Sequence, residues 1–150
     1  MSNTEKAILL DSVILIDLLN EIEEAQTYVQ SVRRDAAISV ITRAEVLVGA
    51  DSQENERAAR YLLDRFPCVP ITVETADHAA RLGRRHNWDL PDALQAAVAH
   101  EHGLRLATRN TNDFDPEIHA FVHVPYRLST PSFSSKRRAK VVPPRKTGAG

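Results

Sequence analysis

Cysteine is nearly missing from this chain: Cys68 is the only one in 150 residues. That excludes an internal disulfide framework and a cysteine-ligated zinc site, and makes a reducing cytoplasm the expected location. Aromatic residues make up only 5% of the sequence, so aliphatic side chains must supply the core, as suits a helix-and-strand protein. No apolar run reaches the ~18–20 residues of a membrane span. The longest, Ala7 to Leu19, is broken by Asp11, Ser12 and Asp17, so no membrane association is expected. The opening MSNTEKA has no basic segment leading into a signal-peptide core, and export is not expected either. The HExxH pattern is absent. His100 and His102 stand two apart, which on a helix points them roughly 200° from each other. A histidine metal site is therefore not expected.

Charge is present in quantity but unevenly spread. The net charge of −1 hides an acidic body and a basic end. From Ser129 onward there are six basic residues (Lys136, Arg137, Arg138, Lys140, Arg145, Lys146) and no acid, leaving 13 basic against 20 acidic residues in the first 128. Residues 1–128 are expected to form one domain, a length sufficient for a real core. Residues 129–150, rich in Ser, Pro and Gly with few large apolar side chains, are expected to be a disordered basic tail.

The body alternates strand and helix patterns. KAILLD reads as a buried strand ending at Asp11, and residues 12 to 34 as helical with a break near Asn20. AAISV, 36 to 40, is a second buried strand. Thr42 is the expected start of the next helix, which Gly49 closes. Residues 53 to 66 form an amphipathic helix with Tyr61, Leu62 and Phe66 on one side, and CVPIT is a brief strand. Thr72 is placed to cap a helix from about Glu74 to His86. Pro91 suits a first helical position and Gly103 a helix stop. LRLAT and AFVHV read as the last two strands. The alternation with short connections predicts an α/β domain around a largely parallel sheet.

Ligand sites of open parallel sheets lie beyond the carboxyl ends of the strands, and four acids fall there. Asp11 ends the first strand, Glu45 is expected in the first turn of the helix after the second, Asp92 opens the helix after Pro91, and Asp113 sits in the loop after LRLAT. Each has a plainer explanation. Glu45 completes Thr42-Arg43-Ala44-Glu45, a capping-box pattern. Asp92 is favoured by the helix macrodipole, and Asp113 by turn chemistry, like Asp115. Asp17 is expected to face solvent from the back of its helix. Asp11 resists the plain account best, because an ionised carboxylate in an aliphatic run loses hydration worth several kcal/mol unless neutralised. Four acids at one sheet edge would repel unless a cation joined them. A hard divalent ion takes such oxygen ligands, and Mg2+ combines one or two carboxylates with waters and phosphate oxygens. Ser12, Thr108 and Asn110 offer hydroxyl and amide groups to orient the acids. Arg109 is a candidate phosphate contact or an ordinary surface arginine. Such a site fits phosphodiester hydrolysis.

The stretches LLDSVILIDLL, ISVITRAEVLVGA and LPDALQAAVAHEHGLRLATRNTNDF together resemble the successive motifs of PIN-domain ribonucleases, in particular VapC-type toxins. The resemblance covers about residues 7 to 126. It implies a three-layer α/β/α fold with a parallel five-stranded sheet, and Asp11, Glu45 and Asp92 as central metal-binding acids with Asp113 as the fourth. It assigns Thr108 and Asn110 to supporting roles. It further implies an Mg2+- or Mn2+-dependent endoribonuclease acting on RNA, a toxin homodimer, and a VapB-like antitoxin that covers the site. Two departures stand out: Val13 replaces a small polar residue, and Gln95 stands where the family's helix is usually aliphatic. A haloacid-dehalogenase-type phosphatase would need a second Asp at position 13, where the chain has Val13, and a receiver domain would need an acidic cluster and a placed lysine that the chain lacks. The remaining rival is a PIN-fold RNA- or protein-binding module that no longer cuts. Its four intact acids and an acidic body, a poor non-specific RNA binder without metal, count against it.

Overall fold

The computed structural model describes residues 6–128; the expected basic tail, 129–150, lies outside them. Five short strands make one parallel sheet. β1 (Ile8–Leu10) is central, between β2 (Ala36–Ser39) and β4 (Arg105–Ala107), while β3 (Cys68–Val69) and β5 (Val122–His123) form the edges. The register pairs Leu9 with Ala37 on one side and Leu106 on the other. The central place of β1 follows from its sequence: Leu9 and Leu10 are both fully buried, and only a strand covered on both faces can bury consecutive leucines.

Alternation along β1 divides the core into two layers. Leu10 packs with the residues of α1 (Ser12–Leu19), α2 (Glu23–Val32), α3 (Val40–Val48) and α4 (Gln53–Leu63), among them Ile14, Val29, Val46 and Leu63. Leu9 faces α5 (Val73–His86) and α6 (Leu90–Glu101), with Leu82, Ala96, Phe114 and Leu106. This is the three-layer α/β/α arrangement the sequence predicts. Alanines at 93, 96, 97 and 99 keep the buried face of α6 thin, which allows the helix to lie close to the sheet.

Most boundaries follow the expected chemistry. The break at Asn20 is real: its N–H bonds Ile16 O at 2.9 Å, and Glu21 takes a φ of 61°. Thr72 caps α5 in a capping box with Thr75. Gly103 adopts a φ of 64°, the left-handed turn that glycine allows without strain. Two expectations fail. The helix after β2 begins at Val40 with Ser39 as its N-cap, so Thr42 lies inside it and no Thr42–Glu45 capping box forms. Tyr61 does not share the buried side of α4 with Leu62; it is 75% exposed.

The strand order places a topological switch between β1 and β4, since successive strands run outward from β1 in one direction and from β4 in the other. The crevice beyond their carboxyl ends is the position this architecture offers a ligand.

Candidate active site

Asp11 lies where β1 stops. Its backbone N–H still bonds Ala107 O of β4 at 3.0 Å, and its extended φ and ψ turn the chain into α1, which it caps. Its side chain is buried and takes three donors. Ser12 N–H at 2.8 Å and Gln95 Nε2 at 3.2 Å reach Oδ1, and Thr108 Oγ1 at 2.7 Å reaches Oδ2. The carboxylate is thus neither bare nor paired with a cation.

The other three acids arrive from separate elements. Glu45 stands in the second turn of α3, half-buried, and interacts with the Ser12 side chain. With the capping box gone, its structural explanation goes too. Asp92 lies in the first turn of α6, behind Asp89 as N-cap and Pro91. Asp113 is held by Asn110, whose Nδ2 donates to Oδ2 at 3.2 Å, while the Asp113 carbonyl accepts from Trp88 Nε1 at 2.9 Å. Asn110 is itself placed by its N–H, bonded to Thr108 Oγ1 at 3.0 Å. Asp115 is a turn residue, accepting Glu117 N–H on Oδ1 at 2.9 Å.

With these residues in place, a family model of the PIN domain matches residues 8–115. The chain belongs to the PIN-domain family. It is 36% identical over 114 residues to Ribonuclease VapC10 of Mycobacterium tuberculosis (strain CDC 1551 / Oshkosh), covering 71% of this chain and 85% of that one. Among solved structures it is similar to a toxin–antitoxin complex from Klebsiella pneumoniae, with a TM-score of 0.75 and 36% identity over 81% of this chain and 100% of that one. It also resembles FitAcB from Neisseria gonorrhoeae, with a TM-score of 0.66 and 25% identity over 81% and 99% of the two chains.

In this PIN domain burial, reinforced by like charge, raises the proton affinity of the acids. Burial, then the neighbouring Asp11, pushes Glu45 up to about 7, partly offset by Ser12. Asp92 is pushed up to about 8, first by burial and then by Asp11, Asp113, Glu45 and Asp89. Burial also raises Asp11, against the lowering effect of its hydrogen bonds. Among the described residues, no basic side chain contributes to holding Glu45 or Asp92 ionised. Arg43 pairs with Asp64 at 2.9 Å. Arg109 turns away from the acids: its Nε and Nη2 meet Asp17 at 2.6 and 2.8 Å, and Tyr126 Oη joins the same carboxylate at 2.7 Å. Two expectations are corrected here. Asp17 is buried rather than solvent-facing, because Arg109 neutralises it, and that pairing commits Arg109 to the fold.

The donor set fits a hard divalent cation. Every candidate ligand is an oxygen, the acids repel one another, and among the described residues no basic side chain offsets Glu45 or Asp92. Among the described residues, no three His, Cys, Asp or Glu form a ready-made cage. Mg2+ needs none, since it binds through one or two carboxylates and keeps several waters. Asn110 Oδ1 is buried without a hydrogen-bond partner. It is an open acceptor beside the amide nitrogen that holds Asp113. Asp89 escaped the sequence reading, signalled only by its place two residues before Pro91. Gln95 was singled out there as a departure from the family pattern, but not as a partner of Asp11.

Proposed function

We propose that this PIN domain is a divalent-metal-dependent endoribonuclease, hydrolysing RNA phosphodiester bonds as the toxin of a VapBC-type pair. Asp11, Glu45, Asp92 and Asp113 are the residues that hold Mg2+ or Mn2+. The observation that carries this reading is four acids from separate segments around the switch-point crevice, with no basic residue among the described ones offsetting Glu45 or Asp92. The family relation to a ribonuclease and to a toxin–antitoxin complex supports the choice of RNA and of an antitoxin partner.

A divalent ion in this site supplies a hydroxide-like nucleophile at neutral pH and offsets charge on the leaving oxygen. The chain's residues set the conditions around it. Thr108, Ser12 and Gln95 keep Asp11 oriented as an acceptor. Glu45, raised to about 7 before an ion is bound, would give up its proton at neutral pH to become a ligand. Asn110 fixes Asp113 with Nδ2 and leaves Oδ1 to accept a hydrogen bond from water.

The test uses protein freed of any antitoxin. RNA should be cut only when Mg2+ or Mn2+ is added, and Asp11→Asn or Asp92→Asn should abolish cutting with the far-ultraviolet circular dichroism unchanged. Cleavage by chelator-treated protein, or by either variant at the wild-type rate, refutes the assignment. A metal-loaded wild type that binds RNA or antitoxin and never cuts would make the chain a binding module.

A further inference from the structure

The buried face of α6 is alanine and valine except at one position. Gln95 is 1% exposed and stands among Ala93, Ala96, Ala97, Val98 and Ala99. An amide moved from water into such surroundings costs on the order of 1–3 kcal/mol unless its hydrogen bonds are replaced, whereas an aliphatic side chain would be buried without that cost. The replacements are specific. Nε2 donates to Asp11 Oδ1 at 3.2 Å and to Thr42 Oγ1 at 2.9 Å, and Oε1 accepts from Ser39 Oγ. Thr42 Oγ1 donates to Leu10 O at 3.2 Å, and Ser39 Oγ accepts from Thr42 N–H at 3.1 Å.

The proton directions in this cluster are forced. Thr42 has one hydroxyl hydrogen, used on the Leu10 carbonyl, so its oxygen can only accept from Gln95. The Ser39 hydrogen then requires the amide oxygen, which fixes the amide's orientation. Of the two Nε2 hydrogens, one goes to Thr42 and the other to Asp11. A backbone carbonyl at one end and a backbone N–H at the other therefore determine that Asp11 Oδ1 accepts.

The geometry points to Gln95 as a positioning residue for the acid site: it holds one oxygen of Asp11 as an acceptor and ties together the end of β1, the start of α3 and the first turns of α6. Those three elements carry Asp11, Glu45 and Asp92. The inference rests on the reading of these acids as a cation site and adds the residue that sets their mutual placement.

A buried polar cluster could serve stability alone, and two variants separate the roles. Gln95→Leu strands the Ser39 hydroxyl hydrogen, whereas Ser39→Ala with Gln95→Leu removes that donor and its acceptor together, a relief that outweighs the loss of the Ser39 cap on α3. The measurements are the thermal midpoint by circular dichroism and the Mn2+ dissociation constant from the electron paramagnetic resonance signal of free Mn2+. Gln95→Leu should weaken Mn2+ binding about 10–100-fold, the usual effect of losing a group that orients a ligand. The double variant should regain thermal midpoint while binding Mn2+ as weakly as the single one. If Gln95→Leu does not fold, the double variant decides. Mn2+ affinity within twofold of wild type in a folded variant, or affinity recovering together with the midpoint, overturns the role of Gln95 and leaves the acid site standing. A wild type that takes up no Mn2+ overturns the cation site, and this inference with it.

Discussion

On the proposed reading, protons and the divalent ion compete for the same carboxylates, and the raised proton affinities of Glu45 and Asp92 set how steeply. With Glu45 at about 7 and Asp92 at about 8, both acids are largely protonated at pH 6 and must lose those protons to become ligands. Treating the two as independent, the apparent affinity for Mn2+ should rise about 50-fold from pH 6 to 7, about 10-fold from pH 7 to 8, and only about twofold above that. Each ion should release about two protons on binding at pH 6 and fewer than one at pH 8. Exposed carboxylates of ordinary acidity, fully ionised by pH 6, would give no change over the range. Isothermal titration of metal-free protein with Mn2+, in two buffers of different ionisation enthalpy, measures both affinity and proton release. An affinity that is flat between pH 6 and 8 with no protons released would mean that the ion does not bind through Glu45 and Asp92, and the electrostatic argument would fall.

The same shifts act on stability. A carboxylate whose folded value is raised makes its full contribution below its unfolded value and loses it as pH rises through the folded one. For Glu45 and Asp92 that window runs from about pH 4 to about pH 8, so the thermal midpoint of metal-free protein should fall across it as far as these groups decide, and saturating Mn2+ should reverse most of the fall at pH 8; an equal midpoint with and without metal at pH 8 contradicts this. Asp92→Asn, which removes one repelling charge, should stabilise the metal-free protein at pH 8 by about 1–2 kcal/mol in urea denaturation while losing activity; a destabilised variant would show that the acid is structural. Arg109→Ala leaves the buried Asp17 charge without its partner and should cost about 3–5 kcal/mol, against about 1 kcal/mol for Tyr126→Phe; equal losses in urea denaturation would contradict the pairing.

How much of this was legible in the sequence depends on how far apart the partners lie along the chain. Asp11 could be found because a carboxylate at the end of an aliphatic strand conflicts with its immediate neighbours. Asp92 and Asp113 could be placed because Pro91 and the turn residues around Asn110 fix local geometry. Asp17 was misread for a physical reason: α1 is buried on nearly every side, so its amphipathic pattern gives no direction, and the arginine that neutralises Asp17 is 92 residues away. Glu45 acquired a false capping explanation because Ser39 and Thr42 are both hydroxyls near the helix start, and only the end of β2 decides between them. Gln95 bonds residues 53, 56 and 84 positions away, a pattern no local spacing could reveal.

The segment after β4 shows how the fold reaches the acids from both sides. Thr108, Arg109 and Asn110 are consecutive, and each grips a different acid: Asp11, Asp17 and Asp113. The chain bends at Arg109, where Thr111 N–H returns to Arg109 O at 3.1 Å. Thr108 and Asn110 turn toward the crevice, while Arg109 turns away, to the buried carboxylate of α1. The pairing behind the crevice and the orientation within it are then one property of the backbone. The Asp17–Arg109–Tyr126 cluster thus commits the guanidinium of this segment to the buried carboxylate of α1, while its two neighbours orient Asp11 and Asp113, the arrangement that the proposed cation site requires.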